Sequence, residues 1–193
     1  PHVTYRCLLE ILANQGYGVI ATPFVNTLDH LEMAENVLSS FENCLNHLYN
    51  SRILRKKSLP IYGIGHSMGC KLHLLIGSLF PIARAGNILI SFNNFAARDA
   101  IPLVEQISSV VKVEFTPSPK ITNSLIQKRY QIRRNLLIKF NDDNIDQTLR
   151  LSDLLRLRFP SMITVQRLNG NHLTPLGQDL SLSLIHISEP TRQ

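Results

Sequence analysis

The sequence predicts an α/β protein built on a mostly parallel, doubly wound sheet. Three observations lead there. Short runs of continuous apolar residues alternate with longer stretches whose apolar residues recur at helical spacing. One run, Leu59 to Ile64, leads directly into Gly65-His66-Ser67-Met68-Gly69 and then into a helical pattern. An acid-rich turn and a histidine follow two later runs.

In chain order, Val3, Cys7, Leu8, Ile11 and Leu12 give a helix over 3–14, and Gly16 stops it. Residues 17–22 (YGVIAT) read as a short strand. Leu31, Ala34, Leu38, Phe41, Leu45 and Leu48 lie on one stripe, so 27–50 is a long amphipathic helix. A strand over 59–64 and a helix from about Ser67 to Phe80, closed by Pro81, come next. A strand over 87–92, a mixed polar stretch over 93–117 and a helix over 118–134 opened by Pro119 follow. The remaining elements are a strand over 135–140, a helix over 146–159 and a strand over 162–168. Five strands are expected, with no internal repeat and no low-complexity linker.

The 193 residues and their 44% apolar content suit one globular domain over 1–180. The +6 formal charge is spread over Arg52, Lys56, Lys57, Lys128, Arg129, Arg133, Arg134, Arg156 and Arg158. Solvated helix faces and helix C-termini account for it, and no aromatic-basic module argues for nucleic acid. Cys7, Cys44 and Cys70 are widely spaced, which suits neither a disulfide framework nor a zinc site. A reducing, intracellular compartment is the default, and no metal or organic cofactor is called for. No apolar run approaches the roughly 20 residues of a membrane helix. Residues 182–192 (LSLIHISEPTR) resemble a translated sequencing adapter, so 181–193 reads as a non-native tail and His186 is set aside.

In open parallel sheets the working residues sit at the C-terminal ends of the strands. Ser67 stands at one such end, Asp142, Asp143 and Asp146 at a second, and His172 at a third. That serine, acid, histidine order accompanies G-x-S-x-G in the α/β-hydrolases. Ser67 needs a base to take its proton, His172 is that base, and a carboxylate holds the imidazole tautomer. Gly65 and Gly69 let the turn approach its neighbours. The motif by itself arises by chance in roughly one chain of this length in fifteen, so its weight comes from its placement. Asp143 is the acid by its D-x-Ile setting, Asp142 is the alternative, and Asp146 caps the next helix. His66, Asn93, Asn94, Asp29 and His30 are pocket candidates. Each has a plainer reading: packing for His66 and His73, turn formation for the asparagines, helix-dipole stabilisation for Asp29.

The stretches TYRCLLEILANQGYGVIATPF, YGIGHSMGCKLHLLIGSLF, RAGNILISFNNF, VEFTPSP, NLLIKFNDDNIDQT and RLNGNHLTPL together resemble the domain of unknown function 1350 family, a plant and cyanobacterial group of α/β-hydrolases. The resemblance runs from Pro1 to about Leu176. It implies an α/β-hydrolase fold, a plastid address for a plant member, and Ser67, Asp143 and His172 as nucleophile, acid and base. In that superfamily the first strands and the loop that donates one oxyanion N–H lie upstream of the first helix. The expectation is therefore an N-terminally truncated domain, with the Met68 N–H as the oxyanion donor at hand, an exposed sheet edge and impaired activity. The reaction expected of the intact protein is hydrolysis of an acyl ester or thioester, or acyl transfer with the same triad. The alternative is a non-catalytic protein of the same fold that binds a small ligand or a partner. Substrate and oligomeric state are left open.

Overall fold

The computed structural model describes residues 3–55, 58–97 and 114–177. Lys56, Lys57, residues 98–113 of the mixed stretch, and the tail with His186 lie outside the described residues. The chain divides into two compact units, residues 20–172 and residues 1–19 with 173–193.

The larger unit holds a four-stranded parallel sheet in the order β1 (Tyr62–His66), β2 (Gly86–Ile90), β3 (Asn135–Phe140), β4 (Ile163–Leu168). Its helices among the described residues are α2 (His30–Asn50), α3 (Met68–Leu79), α4 (Pro119–Arg129) and α5 (Thr148–Arg156), and the last three lie in the crossovers between successive strands. Parallel neighbours require such crossovers, because a short turn cannot return the chain to the same end of the sheet. Cys70 and Leu74 of α3, Ile126 of α4, and Leu151 and Leu155 of α5 pack on Leu89, Leu137 and Ile163 of the strands as one core. The opposite side of α3, through Leu72, Leu75 and Ile76, packs on Met33, Ala34, Val37 and Leu38 of α2. That explains why α3 is apolar almost all round: it is clasped between the sheet and α2.

Local signals set the helix ends. The Asp29 carboxylate accepts from the Leu31 and Glu32 N–H groups and caps α2. Ser118 accepts from the Ile121 N–H ahead of Pro119. Lys128 and Arg129 lie in the last turn of α4 and Arg156 in that of α5, where cations suit the helix dipole. No helix among the described residues is long and apolar enough to cross a membrane. In the smaller unit, α1 (Arg6–Asn14) meets a 3-10 turn at Thr174–Leu176, and Gly177, at φ 62°, brings its backbone against Cys7.

Several expectations change. The helix expected over 118–134 ends at Arg129, where Tyr130 leaves helical geometry, and the strand expected over 87–92 ends at Ile90, before Ser91 at φ 51°. Residues 17–22 are not a strand: among the described residues no neighbour supplies the ladder hydrogen bonds that an apolar, β-branched run needs to become one. The strand expected at 59–64 runs instead from Tyr62 to His66, because its pairing with β2 continues through Gly65 and His66. Alternation along β1 turns Gly63 and Gly65 inward, leaving Tyr62 53% and Ile64 36% exposed on the other face.

Candidate functional site

All four strands end at the same edge of the sheet, and the loop after each brings one or two polar groups to a common point. Ser67 follows β1, Ser91 and Asn93 follow β2, Asp143 follows β3 and His172 follows β4. The loops after β3 and β4 are laced together. Asn141 and Asp142 donate their N–H groups to the carbonyls of Leu168 and Gly170 at 3.0 Å each, and the Asn141 amide donates to Asn169 Oδ1 at 2.8 Å. This lacing carries the register of the strands into the loops and brings acid and histidine together.

Ser67 has φ 55° and ψ −121°, a conformation that costs a residue with a Cβ on the order of 1–3 kcal/mol. The surroundings hold it there. Its N–H donates to the Ile90 carbonyl at 2.9 Å, its carbonyl accepts from the Cys70 N–H at 3.0 Å, and the buried Cys70 thiol lies 3.1 Å from both the Gly65 and Ile90 carbonyls. Burial pushes that thiol's pKa up, so it stays protonated. The two flanking glycines are not equivalent. A Cβ on Gly65 would stand 2.6 Å from the Gly69 carbonyl carbon and oxygen and 2.7 Å from the Cys70 nitrogen, whereas one on Gly69 would meet open space. Gly65→Ala is therefore expected to destabilise the fold by about 2–3 kcal/mol and Gly69→Ala by far less; paired thermal melts check both.

Around the strained serine, His172 Nε2 lies 3.1 Å from Ser67 Oγ, and His172 Nδ1 lies 2.8 Å from Asp143 Oδ2. A carboxylate can only accept, so the proton of the neutral ring is on Nδ1 and Nε2 is the acceptor for the serine hydroxyl. The Asp143 side chain is fully buried and that of His172 is 19% exposed. Burial alone would raise the Asp143 pKa. The hydrogen bond with His172, the nearby Ser91 hydroxyl, the His172 charge and the Ile145 N–H outweigh it, and the carboxyl ends below its ordinary range. Oδ1 accepts the Ile145 N–H at 3.1 Å, fixing the carboxylate plane. Met68 opens α3, so its N–H is among those that the helix itself leaves free beside Ser67.

The other sequence candidates separate. Asn93 reaches the site, its Nδ2 donating to Ser67 Oγ at 3.0 Å. His66 supports it: Nε2 lies 2.8 Å from the His172 carbonyl oxygen, and as a carbonyl only accepts, Nε2 carries the proton. The two rings lie 4.8 Å apart. Burial, then the His172 charge, lower the His66 pKa to about 4, so it stays neutral and ties down the backbone that carries His172. Asp142 is exposed, and Asp143 makes the contact with His172. Asp146 accepts from the Thr148 N–H and hydroxyl and pairs with Lys139 at 3.2 Å. Asn94 turns away, donating to the Pro119 carbonyl and Asn123 Oδ1 at 3.2 Å each. Asp29 is occupied as the α2 cap. His30, 3% exposed, stacks on Phe115 with ring centroids 4.4 Å apart and makes no hydrogen bond to the Ser67 cluster among the described residues. No group of three or more His, Cys, Asp or Glu that could hold a metal occurs among the described residues.

Ser91 is the site residue that sequence reasoning missed. It is fully buried at φ 51°, and its hydroxyl faces the Asp143 carboxylate without a close hydrogen bond. A serine after a strand carries no signal of this kind. A second strained, positive-φ serine at the same sheet edge appears only in three dimensions.

The fold is that of known hydrolases. One of the metagenome-derived lipolytic enzymes LipS and LipT aligns at TM-score 0.56 and 16% identity, over 94% of this chain and 84% of its own. The Pyrococcus furiosus esterase Pf2001 aligns at TM-score 0.58 and 16% identity, over 93% and 69%. A carboxylesterase of the ammonia-oxidising thaumarchaeon Nitrososphaera gargenis aligns at TM-score 0.52 and 14% identity, over 95% and 83%. At these identities the likeness is one of fold. No curated protein sequence matches the chain. A family model covers residues 1–188, almost the full length and every strand and helix described above. The chain thus belongs to the family described as Protein of unknown function (DUF1350), carried on an α/β-hydrolase fold.

Proposed function

We propose that the protein is a serine hydrolase of ester or thioester bonds, with Ser67 as nucleophile, His172 as general base and acid, and Asp143 as the group that orients His172. The observation that carries this reading is the unbroken hydrogen-bond relay from Asp143 through His172 to a serine held at positive φ.

On this reading Ser67 Oγ attacks the acyl carbonyl while its proton passes to His172 Nε2, and Asp143 stabilises the imidazolium so formed. The oxyanion of the tetrahedral intermediate is met by the Met68 N–H at the start of α3, where the helix dipole also favours negative charge. Collapse expels the alcohol or thiol, which takes the proton from Nε2. Water then attacks the acyl-serine with His172 as base, and the acid leaves with Ser67 restored. The fold neighbours include esterases and lipolytic enzymes, which is in keeping with an acyl substrate.

The test is covalent labelling with a fluorophosphonate probe, comparing the wild type with Ser67→Ala and His172→Ala. Labelling present in the wild type and lost in both variants is the expected result. Folded wild type that takes up no more probe than Ser67→Ala would sink the proposal and favour a non-catalytic binding protein.

A further inference from the structure

Proton accounting around Ser67 assigns a role to a fourth residue. The hydroxyl has one proton, and His172 Nε2 receives it. What remains on Oγ is lone pairs, so Asn93, 3.0 Å away, can meet the oxygen favourably only through its Nδ2–H. The opposite amide orientation would set a carbonyl oxygen against those lone pairs. The amide therefore stands as a fixed donor aimed at the atom on which negative charge would develop.

Its loop is held from several sides. Ser91 donates its N–H to the Ile138 carbonyl at 2.9 Å, and Phe92 donates its N–H to Thr148 Oγ1 at 3.3 Å. The Phe92 carbonyl accepts the Gln147 N–H at 2.7 Å, and Gln147 Oε1 accepts the Asn94 N–H at 3.0 Å. With the Asn94 side chain bonded to α4, the residues on both sides of Asn93 are anchored to α4, the α5 N-terminus or β3. A donor held in this way needs little reorganisation when charge appears.

We propose that Asn93 is a catalytic residue of this site, donating a hydrogen bond to Ser67 Oγ both when that oxygen is the attacking nucleophile and when it leaves the acyl-enzyme. The inference rests on the serine-hydrolase reading. In acylation the bond from Oγ to the acyl carbon forms and the hydroxyl proton goes to His172 Nε2. In deacylation that bond breaks, its electron pair returns to Oγ, and Nε2 gives the proton back. Asn93 transfers no proton in either direction. A neutral amide suits this role because it does not titrate and does not compete with His172 for the serine proton, as a carboxylate would.

The experiment measures the second-order rate of fluorophosphonate labelling for wild type, Asn93→Ala and Asn93→Asp, with thermal melts alongside. Loss of one hydrogen bond to a developing charge is expected to slow Asn93→Ala about 10- to 100-fold. Asn93→Asp, nearly the same size but carrying a charge that repels the alkoxide, is expected to be slower still. A role in packing alone gives the reverse order, with the isosteric aspartate close to wild type. An Asn93→Asp rate above that of Asn93→Ala, or an Asn93→Ala rate within about twofold of wild type, overturns the proposal. If Asn93→Ala fails to fold, Asn93→Asp decides: a loss above about 100-fold at an unchanged melting temperature supports the role, and any smaller loss overturns it. Wild type that labels no better than Ser67→Ala removes the hydrolase reading itself, a result distinct from wild type that labels and Asn93 variants that label equally well.

Discussion

If the protein is the proposed serine hydrolase, Asp143→Asn is expected to lower turnover of an acyl ester about 10,000-fold while leaving the fold in place. The size follows from the hydrogen-bond geometry. Asp143 Oδ2 accepts from His172 Nδ1 at 2.8 Å, which leaves Nε2 free to take the Ser67 proton. An asparagine amide that turned its NH2 toward Nδ1 would favour the other tautomer, with the proton on Nε2. Ser67 would then face a donor where it needs an acceptor. The amide oxygen can still receive the Ile145 N–H that Asp143 Oδ1 now accepts, so little else changes. Steady-state kinetics on a chromogenic acyl ester, with a melting curve beside them, check this. A variant within about tenfold of wild type at equal stability would mean that Asp143 does not set the tautomer.

Acid unfolding is the second large effect. Burial lowers the pKa values of His30 and His66 to about 4 and of His73 to about 3, with the charges of Lys71, His172 and Arg84 adding to it in turn. Asp29 near His30, and Asp143 and the His172 carbonyl near His66, oppose the shifts without cancelling them; the Ile64 carbonyl does the same for His73. In the unfolded chain these rings titrate near 6.5. Between that value and their folded values the unfolded state holds protons that the folded state refuses. Stability is therefore fully present above about pH 6.5 and falls as pH drops through that window. One such ring is worth about 1.4 kcal/mol per pH unit. His30 is 3% exposed and carries its share in full, while His66 and His73 are partly exposed and carry less. A combined slope of about 3 kcal/mol per unit over the roughly 2.5 units between the unfolded and folded values removes about 7 kcal/mol, enough to unfold a domain at the lower end of the usual range of about 5–15 kcal/mol. The depressed Asp143 carboxyl adds a further loss only at the acid end, as pH falls through its folded value. Urea melts at pH 7, 6 and 5 measure the slope. His30→Phe, which keeps the stack on Phe115 and removes the buried Nδ1 that lacks a hydrogen-bond partner, is expected to reduce it by about 1.4 kcal/mol per unit. Stability independent of pH over that range would show that the three rings stay hydrated.

Much of the fold was legible because the pattern that a parallel strand needs, a short continuous apolar run, is local. Leu137 of β3, and Leu74 to Ile76 of α3 by the same apolar continuity, are buried as the order of the residues alone suggests. The failure at residues 17–22 has the same physics in reverse. That run has the composition of a strand, but a strand exists only with a neighbour to bond to, and composition cannot say whether one stands there. Gly65 and Gly69 look alike in the motif, yet only Gly65 abuts another backbone segment.

The candidate site divides along the same line. Sequence by itself determined the fold class, the family likeness, and that a serine, an acidic cluster and a histidine stand at strand ends, because each depends on residue type and spacing along the chain. Tertiary structure alone decided between Asp142 and Asp143, turned Asn93 toward Ser67 and Asn94 away, aimed His66 at the His172 carbonyl, and set Ser91 beside the acid. Those choices depend on which loop meets which across the sheet edge. Residues up to 106 positions apart come within hydrogen-bonding distance there, and no local pattern along the chain encodes that meeting.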